Sequence, residues 1–123
     1  MERIVIPTND DRGLDSSLCE HFGRAPYFTV VELGEDGDIK GISSIPNLSE
    51  HFGGSGRPPD AILRLKPDAL ITIGMGPRAL EIFQRAGVAV LMANSNLVRD
   101  IIQAYKEDRL QELTEGCRQA RHR

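Results

Sequence analysis

One cysteine and two histidines lie in irregular, polar parts of the chain, where side chains are available for chemistry. Cys19 and His21 are two positions apart in the stretch CEHFGRAPYF, and His51 lies in a second irregular stretch, SEHFGGSG. Thiolates and imidazoles are suitable ligands for iron, zinc and copper. A structural zinc site needs four ligands in paired spacing, which these positions do not offer. The pattern indicates an open, sparsely liganded site; for Cys19 alone, a small buried thiol is the favoured interpretation.

A second chemistry-bearing feature is the glycine-rich turn GMGPR at residues 74–78. Glycines let the backbone approach a ligand closely, and free amides at the start of the following helix favour an anion. The same residues also make a tight strand-to-helix turn in which Pro77 is a good first helical residue. Both interpretations stay open, but the turn is neither a Walker loop nor a GxGxxG fingerprint, so nucleotide binding is not indicated.

Three aspartates, Asp10, Asp11 and Asp15, follow the first apolar stretch. Acids at the end of a first strand can hold magnesium for phosphoryl transfer. Such chemistry needs further carboxylates at the neighbouring strand ends, and residues 74–78 and 93–96 contain none. No nucleophile with a partnered base is recognisable either, so the sequence predicts a protein that is not an enzyme.

The elements that must position these residues alternate between strands and helices. Apolar or alternating stretches predict strands at residues 3–7, 27–33, 39–45, 69–73 and 88–92. An Asp-Gly turn within residues 34–38 joins the second and third strands into an antiparallel hairpin. Helices are predicted to begin near residues 59, 77 and 97, the second of them closed by Gly87.

The last helix is predicted to be long. Its helical spacing continues through Leu110, Leu113 and Cys117, and Asn94, Ser95 or Asn96 is expected to cap its start. Cys117 is expected to pack on its apolar face.

This order of elements predicts a single α/β domain, a three-layer α/β/α sandwich around a five-stranded mixed sheet whose first, fourth and fifth strands are parallel. Ligands of open α/β sheets gather at the carboxyl ends of the parallel strands. The loop with Cys19 and His21 leaves from that edge, and residues 74–78 and 93–96 lie there. The connection with His51 is expected to begin at the opposite edge and to fold over the crevice because it is long.

Composition limits the class of protein. The chain has 123 residues, a net charge of −3 and 27% charged residues, which is typical of a globular domain and not of a nucleic-acid-binding protein. The domain is predicted to span residues 1–116, followed by a basic tail at residues 117–123. No apolar run approaches the roughly 20 residues that cross a bilayer, and no signal peptide is recognisable. A cytoplasmic protein without membrane contact is therefore expected, and its oligomeric state is not indicated.

Two motifs, HFGRAPYF at residues 21–28 and DALITIGMGPRALEIFQRAGVAV at residues 68–90, resemble the dinitrogenase iron-molybdenum cofactor biosynthesis family. The glycine-rich segment around His51 adds to the resemblance, which covers roughly residues 2–106. It implies a ribonuclease-H-like fold and binding or transfer of an iron–sulfur or iron–molybdenum cluster, exchanged with a donor or acceptor protein. The residues expected to hold the cluster are His21, Phe22, Gly23, Arg24, Gly74, Met75, Gly76, Pro77 and Arg78, with His21, His51 and Cys19 as metal ligands.

The chain departs from the family pattern at two places. Relatives commonly have a serine where Cys19 stands, and many have a second histidine directly after the position of His51, where this chain has Phe52. Another function therefore stays open, that of a regulatory or interaction domain which binds a small anion or a partner protein in the same crevice.

Overall fold

The computed structural model describes residues 2–20, 22–47 and 58–113. Six strands form one sheet: β1 (Glu2–Thr8), β2 (Tyr27–Leu33), β3 (Ile39–Pro46), β4 (Ala69–Thr72), β5 (Ala89–Met92) and β6 (Gln111–Glu112). Within the described ranges, three α-helices accompany them: α1 (Pro58–Arg64), α2 (Pro77–Arg85) and α3 (Val98–Lys106). None of the helices in these described ranges is long and apolar enough to span a membrane.

The sheet is mixed, in the order β3-β2-β1-β4-β5-β6. β1 is parallel to β4, and β4 to β5, as the strand–helix alternation predicts. β2 and β3 form the predicted antiparallel hairpin, and Gly37 takes a positive φ of 86° in its turn. The parallel strands therefore end at one edge, which is called the carboxyl edge below.

Both faces of the sheet are covered, which confirms the three layers. Successive side chains of β1 point to opposite faces. Val5 packs in a cluster with Ile62 of α1 and Phe83 of α2. Ile4 packs in a second cluster with Ile101 of α3. Helices α1 and α2 thus lie on one face and α3 on the other, while the ribonuclease-H-like classification stays a prediction.

The sheet has six strands and not the predicted five, because the last helix ends early. Asp108 has a φ of 59°, and its N–H donates to Tyr105 O (3.0 Å). The N–H of Arg109 donates to Ala104 O (2.9 Å), which completes a Schellman-type stop. The prediction of a long last helix is therefore wrong. Apolar residues continue at helical spacing, but the left-handed conformation of Asp108 ends the helix before them.

The residues after this stop form the added edge strand. β6 pairs antiparallel with β5, and the N–H of Leu113 donates to Val90 O (2.7 Å). Leu113 is buried in the cluster that contains Val5, Ile62 and Phe83, which is called the α2-side cluster below, and it does not continue a helix. Cys117 and the predicted basic tail lie outside the described residues.

Tyr105 of α3 gives the fold a predictable response to alkali. Burial, together with the neighbouring Glu2 carboxylate, raises the pKa of Tyr105 from 10.0 to about 12. Because the unfolded chain ionises its tyrosine first, this stabilising contribution is complete below about pH 10 and is lost as the pH rises toward about 12.

We therefore expect the urea concentration at the midpoint of unfolding to decrease when the pH is raised from about 9.5 to about 11.5. The decrease should be smaller in a Tyr105→Phe variant. Urea titrations of both proteins at the two pH values measure this difference. Equal decreases in the two proteins would contradict the assignment.

Candidate functional site

The candidate site lies at the carboxyl edge, where β1, β4 and β5 end at Thr8, Thr72 and Met92. The chain leaves these strands into three connections: residues 9–26, residues 73–76 and residues 93–97. The described part of the first connection carries Cys19, Phe22 and Arg24, and the second carries the glycine-rich turn. The predicted site is therefore located where ligands of open α/β sheets bind.

Backbone hydrogen bonds fix the first connection across the strand ends. The N–H of Cys19 donates to Pro7 O (2.9 Å), and the N–H of Leu18 donates to Asn96 O (2.7 Å). The N–H of Asn9 donates to Ser17 O (2.9 Å). The long stretch without periodicity is therefore held by its own backbone and by the third connection.

The same connection closes the start of α3. The N-cap of α3 is Leu97, with no side-chain cap, and the N–H of Val98 donates to Ser16 O (3.0 Å). The prediction of an Asn94, Ser95 or Asn96 cap is wrong because a loop carbonyl takes this role. The first helical amide of α3 is thus paired within the protein.

Among the described residues, neither a side chain nor a loop carbonyl accepts a hydrogen bond from the first turn of α2 on the other face. Gly76 is its N-cap, no side chain caps the helix, and no acidic residue stands in the first turn. Pro77 at the first helical position has no N–H, so the donors of this turn are the amides of Arg78 and Ala79. A Cβ built on Gly76 meets no heavy atom within 4 Å, and its φ of −65° suits any residue. Neither backbone strain nor packing therefore requires glycine at this position. Because glycine has no side chain, it leaves the first-turn N–H groups of α2 accessible.

Phe22 joins the first connection to α2. It begins the short helical turn Phe22–Arg24, and its ring lies edge-on to Phe83, with the centroids 5.8 Å apart and the planes at 84°. Both rings are buried in the α2-side cluster. The turn that ends at Arg24 is therefore held against the helix whose start is open.

The predicted site residues differ in their exposure, and two of them are not described. Arg24, Gly76, Pro77 and Arg78 are exposed and Gly74 is half-buried; Cys19, Phe22 and Met75 are buried; Gly23 lies in the turn, and His21 and His51 lie outside the described residues. None of the ion pairs formed by the described residues involves Arg24 or Arg78. The described rim thus presents backbone amides and two arginines, whereas its one candidate metal ligand, Cys19, is a buried thiol as favoured above.

The connection that carries His51 begins at the carboxyl edge, so the expectation that it begins at the opposite edge is wrong. Two antiparallel pairings in succession, β1 with β2 and β2 with β3, give β3 the direction of β1. Just after β3, Asn47 donates from its N–H to Pro26 O (2.9 Å) and from Nδ2 to Ala25 O (2.8 Å). The connection therefore leaves from beside the end of the Phe22–Arg24 turn. The predicted hairpin fixes β3 relative to β2, and the direction follows once β2 is also paired antiparallel with β1.

Two aspartates of the first connection, Asp10 and Asp15, lie close to arginines. Asp15 Oδ1 lies 2.6 Å from Arg99, and Asp10 Oδ2 lies 3.6 Å from Arg12. Throughout the described residues, no group of three or more His, Cys, Asp or Glu side chains could hold a metal ion. Asp15 thus helps to attach the first connection to α3, whereas Asp10 pairs within the connection, and no magnesium site is formed among the described side chains.

Thr72 is a residue that the sequence reasoning missed. It is fully buried at the end of β4, and no described residue pairs with its Oγ1. In the sequence it is one threonine in the apolar stretch ALITI, and nothing local distinguishes it from a threonine whose hydroxyl is paired.

Comparisons with known proteins agree with this geometry. The sequence model of the family described as dinitrogenase iron-molybdenum cofactor matches residues 2–108. An uncharacterized protein of Methanocaldococcus jannaschii is 29% identical over 111 residues, which is 89% of each chain.

Two solved structures are similar over nearly the whole chain. The crystal structure of PH0822 is 31% identical, with a TM-score of 0.75, and the match covers 91% of this chain and 96% of that one. The apo form of the orange protein from Desulfovibrio gigas is 22% identical, with a TM-score of 0.77 and coverage of 94% and 95%. At that identity, the second likeness shows a shared fold.

Proposed function

Because the chain belongs to the dinitrogenase iron-molybdenum cofactor family, we propose that it is a non-enzymatic carrier which binds an iron–sulfur or iron–molybdenum cluster at its carboxyl edge. The observation that carries this proposal is the open start of α2, where no side chain of the described residues caps the first-turn amides and Gly76 adds no side chain in front of them. These amides are hydrogen-bond donors at the positive end of the helix dipole, which favours an anion.

The described residues fit an anionic cargo. Arg78 stands in the first turn of α2 and Arg24 ends the neighbouring turn, and both side chains are exposed. Two cations and a set of backbone donors suit a cluster that carries negative charge on sulfide or oxide atoms. His21, His51 and Cys19 are the proposed metal ligands.

A carrier must also release its cargo to an acceptor protein. Few ligands, combined with hydrogen bonds at an exposed rim, give a weaker hold than the four ligands of a closed structural metal site. The same reasoning makes a metallocluster donor or acceptor protein the expected partner.

Anaerobic reconstitution tests the proposal. Wild-type protein incubated with iron and sulfide, or with purified cofactor, should gain visible absorbance that stays with the protein on a desalting column. The chain has three histidines, so His122→Ala serves as a matched control for the His21→Ala/His51→Ala double variant. We expect the control to retain the absorbance and the double variant to lose most of it, because imidazole ligands are absent.

Two results would count against the carrier. One is wild-type protein that stays colourless after reconstitution; the other is equal absorbance in the double variant and the control.

One observation favours a second candidate function. The described rim offers amides and guanidinium groups but no group of three metal-ligating side chains, which also suits a domain that binds a small anion or an acidic partner. A thermal-shift screen separates the two functions. Stabilisation by phosphate-containing metabolites, without stabilisation by iron and sulfide, would favour this regulatory or interaction domain.

A further inference from the structure

Thr72 carries a buried hydroxyl that the described residues leave unpaired. The residue is 0% exposed, and its Oγ1 has no hydrogen-bond partner in the described part of the chain. Leaving a buried hydroxyl unpaired is unfavourable, so such groups in native proteins call for an explanation. Thr8 and Thr29 show the usual arrangement: both are fully buried, and their hydroxyl oxygens lie 2.9 Å apart.

The position of Thr72 relates its hydroxyl to the open start of α2. Alternation along β4 places Thr72 on the same face as Leu70, whose side chain lies in the cluster with Phe83 of α2. Only Ile73, Gly74 and Met75 separate Thr72 from the N-cap of that helix. The unpaired hydroxyl and the uncapped amides therefore adjoin the same short turn.

We propose that the Thr72 hydroxyl is a ligand-binding group, which donates its hydrogen to an oxo or sulfido atom of the anion held at the start of α2. The inference rests on the proposed function and specifies the chemistry of its cargo: an anion with several acceptor atoms, which bind N–H and O–H donors together. A metal ion held by imidazoles alone would leave this hydroxyl unpaired.

Access to the hydroxyl requires the turn to shift. Met75 is 5% exposed, and it is the central residue of the turn between Thr72 and the helix. Glycines on both sides of Met75 give the backbone the freedom for such a shift. Binding would thus move the turn and pair the hydroxyl in the same step.

A Thr72→Val variant tests the inference, because valine keeps the shape and removes the hydroxyl. Thr29→Val is the matched control, since it removes a buried hydroxyl that is already paired on the other face. Two quantities are measured for each protein: the midpoint of urea unfolding, and the affinity for sodium molybdate and for the iron–sulfide cluster formed by anaerobic reconstitution.

For Thr72→Val we expect a urea midpoint at or above that of wild type and an affinity lowered about tenfold, the effect of one hydrogen bond to an anion. For Thr29→Val we expect the reverse, a lower midpoint with unchanged affinity.

Unchanged affinity in Thr72→Val, or a lower midpoint, would overturn this inference alone, since the hydroxyl would then be dispensable for binding or already paired. Wild-type protein that binds neither molybdate nor the cluster would overturn the proposed function and this inference together.

Discussion

Replacement of Gly76 by aspartate should stabilise the protein and remove most of its affinity for an anionic ligand. Gly76 has φ −65° and ψ 160°, an extended conformation open to any residue, and an added Cβ meets nothing within 4 Å. Aspartate is a preferred N-cap, and its charge is favourable at the positive end of the helix. We expect the free energy of unfolding to rise by about 1 kcal/mol.

The same carboxylate would compete with the ligand. Its oxygens would accept the hydrogen bonds of the first-turn amides, and its charge would repel an anion at the entrance. Loss of two hydrogen bonds to a charged ligand corresponds to roughly a 100-fold weaker affinity. Urea unfolding and titration with molybdate or reconstituted cluster measure the two effects in one variant.

Ala86→Asp provides a control that adds the same charge to the other end of α2. Ala86 is the exposed C-cap of this helix. A negative charge there opposes the helix dipole, so the variant should be slightly less stable and should bind as wild type does. Similar losses of affinity in both variants would show that net charge, and not the N-cap, governs binding.

The layers of this fold follow from local sequence properties. The apolar stretches 69–73 and 88–92, each followed by a helical pattern, predict parallel strands, and they correspond to β4 and β5. The sequence predicts that Gly87 ends α2, and Gly87 follows this helix with a φ of 81°. Such features depend on a few neighbouring residues, so a single sequence contains them.

The sixth strand could not be predicted in this way. Leu110 and Leu113 retain helical spacing, and the stop depends on Asp108, a residue type that adopts a left-handed conformation only in some contexts. The added strand has just two residues, both exposed, and it is defined by pairing with β5. Its existence is a property of the folded sheet.

Some features of the candidate site also depend only on neighbouring residues, whereas others depend on the whole fold. The turn at residues 74–78 was predictable, because glycines and a proline before a helical pattern mark a helix start. That the carbonyl of Ser16 accepts from the first helical amide of α3 depends on a hydrogen bond across the fold, which a single sequence does not contain. The unpaired hydroxyl of Thr72 likewise becomes visible only when every neighbouring donor and acceptor has been placed.

Truncation of Phe22 to alanine should destabilise the protein and weaken ligand binding together. The side chain is 8% exposed and lies edge-on to the fully buried Phe83. Loss of a buried phenylalanine and of its aromatic pair should lower the free energy of unfolding by about 3 kcal/mol. The Phe22–Arg24 turn would then lose its ring contact with Phe83 of α2, and ligand affinity should fall because Arg24, a proposed cation of the site, is no longer held by this contact.

Phe28→Ala separates these two effects. Phe28 lies in the same cluster and is 2% exposed, but it belongs to β2 and is not part of the turn. A similar loss of stability is expected, with affinity close to that of wild type. Binding must be measured at a temperature where circular dichroism shows each variant to be folded.

A Phe22→Leu variant decides whether Phe22 positions the turn or contacts the ligand. Leucine keeps an apolar side chain in the cluster but removes the aromatic ring. If Phe22 acts through the turn, Phe22→Leu should recover most of the affinity that Phe22→Ala loses, together with part of the stability. If the ring itself contacts the cargo, the two variants should bind equally weakly. Because both Phe22 and Phe83 are buried in the cluster, we expect recovery, and the contact with the ligand then belongs to the exposed Arg24 and the open amides of α2.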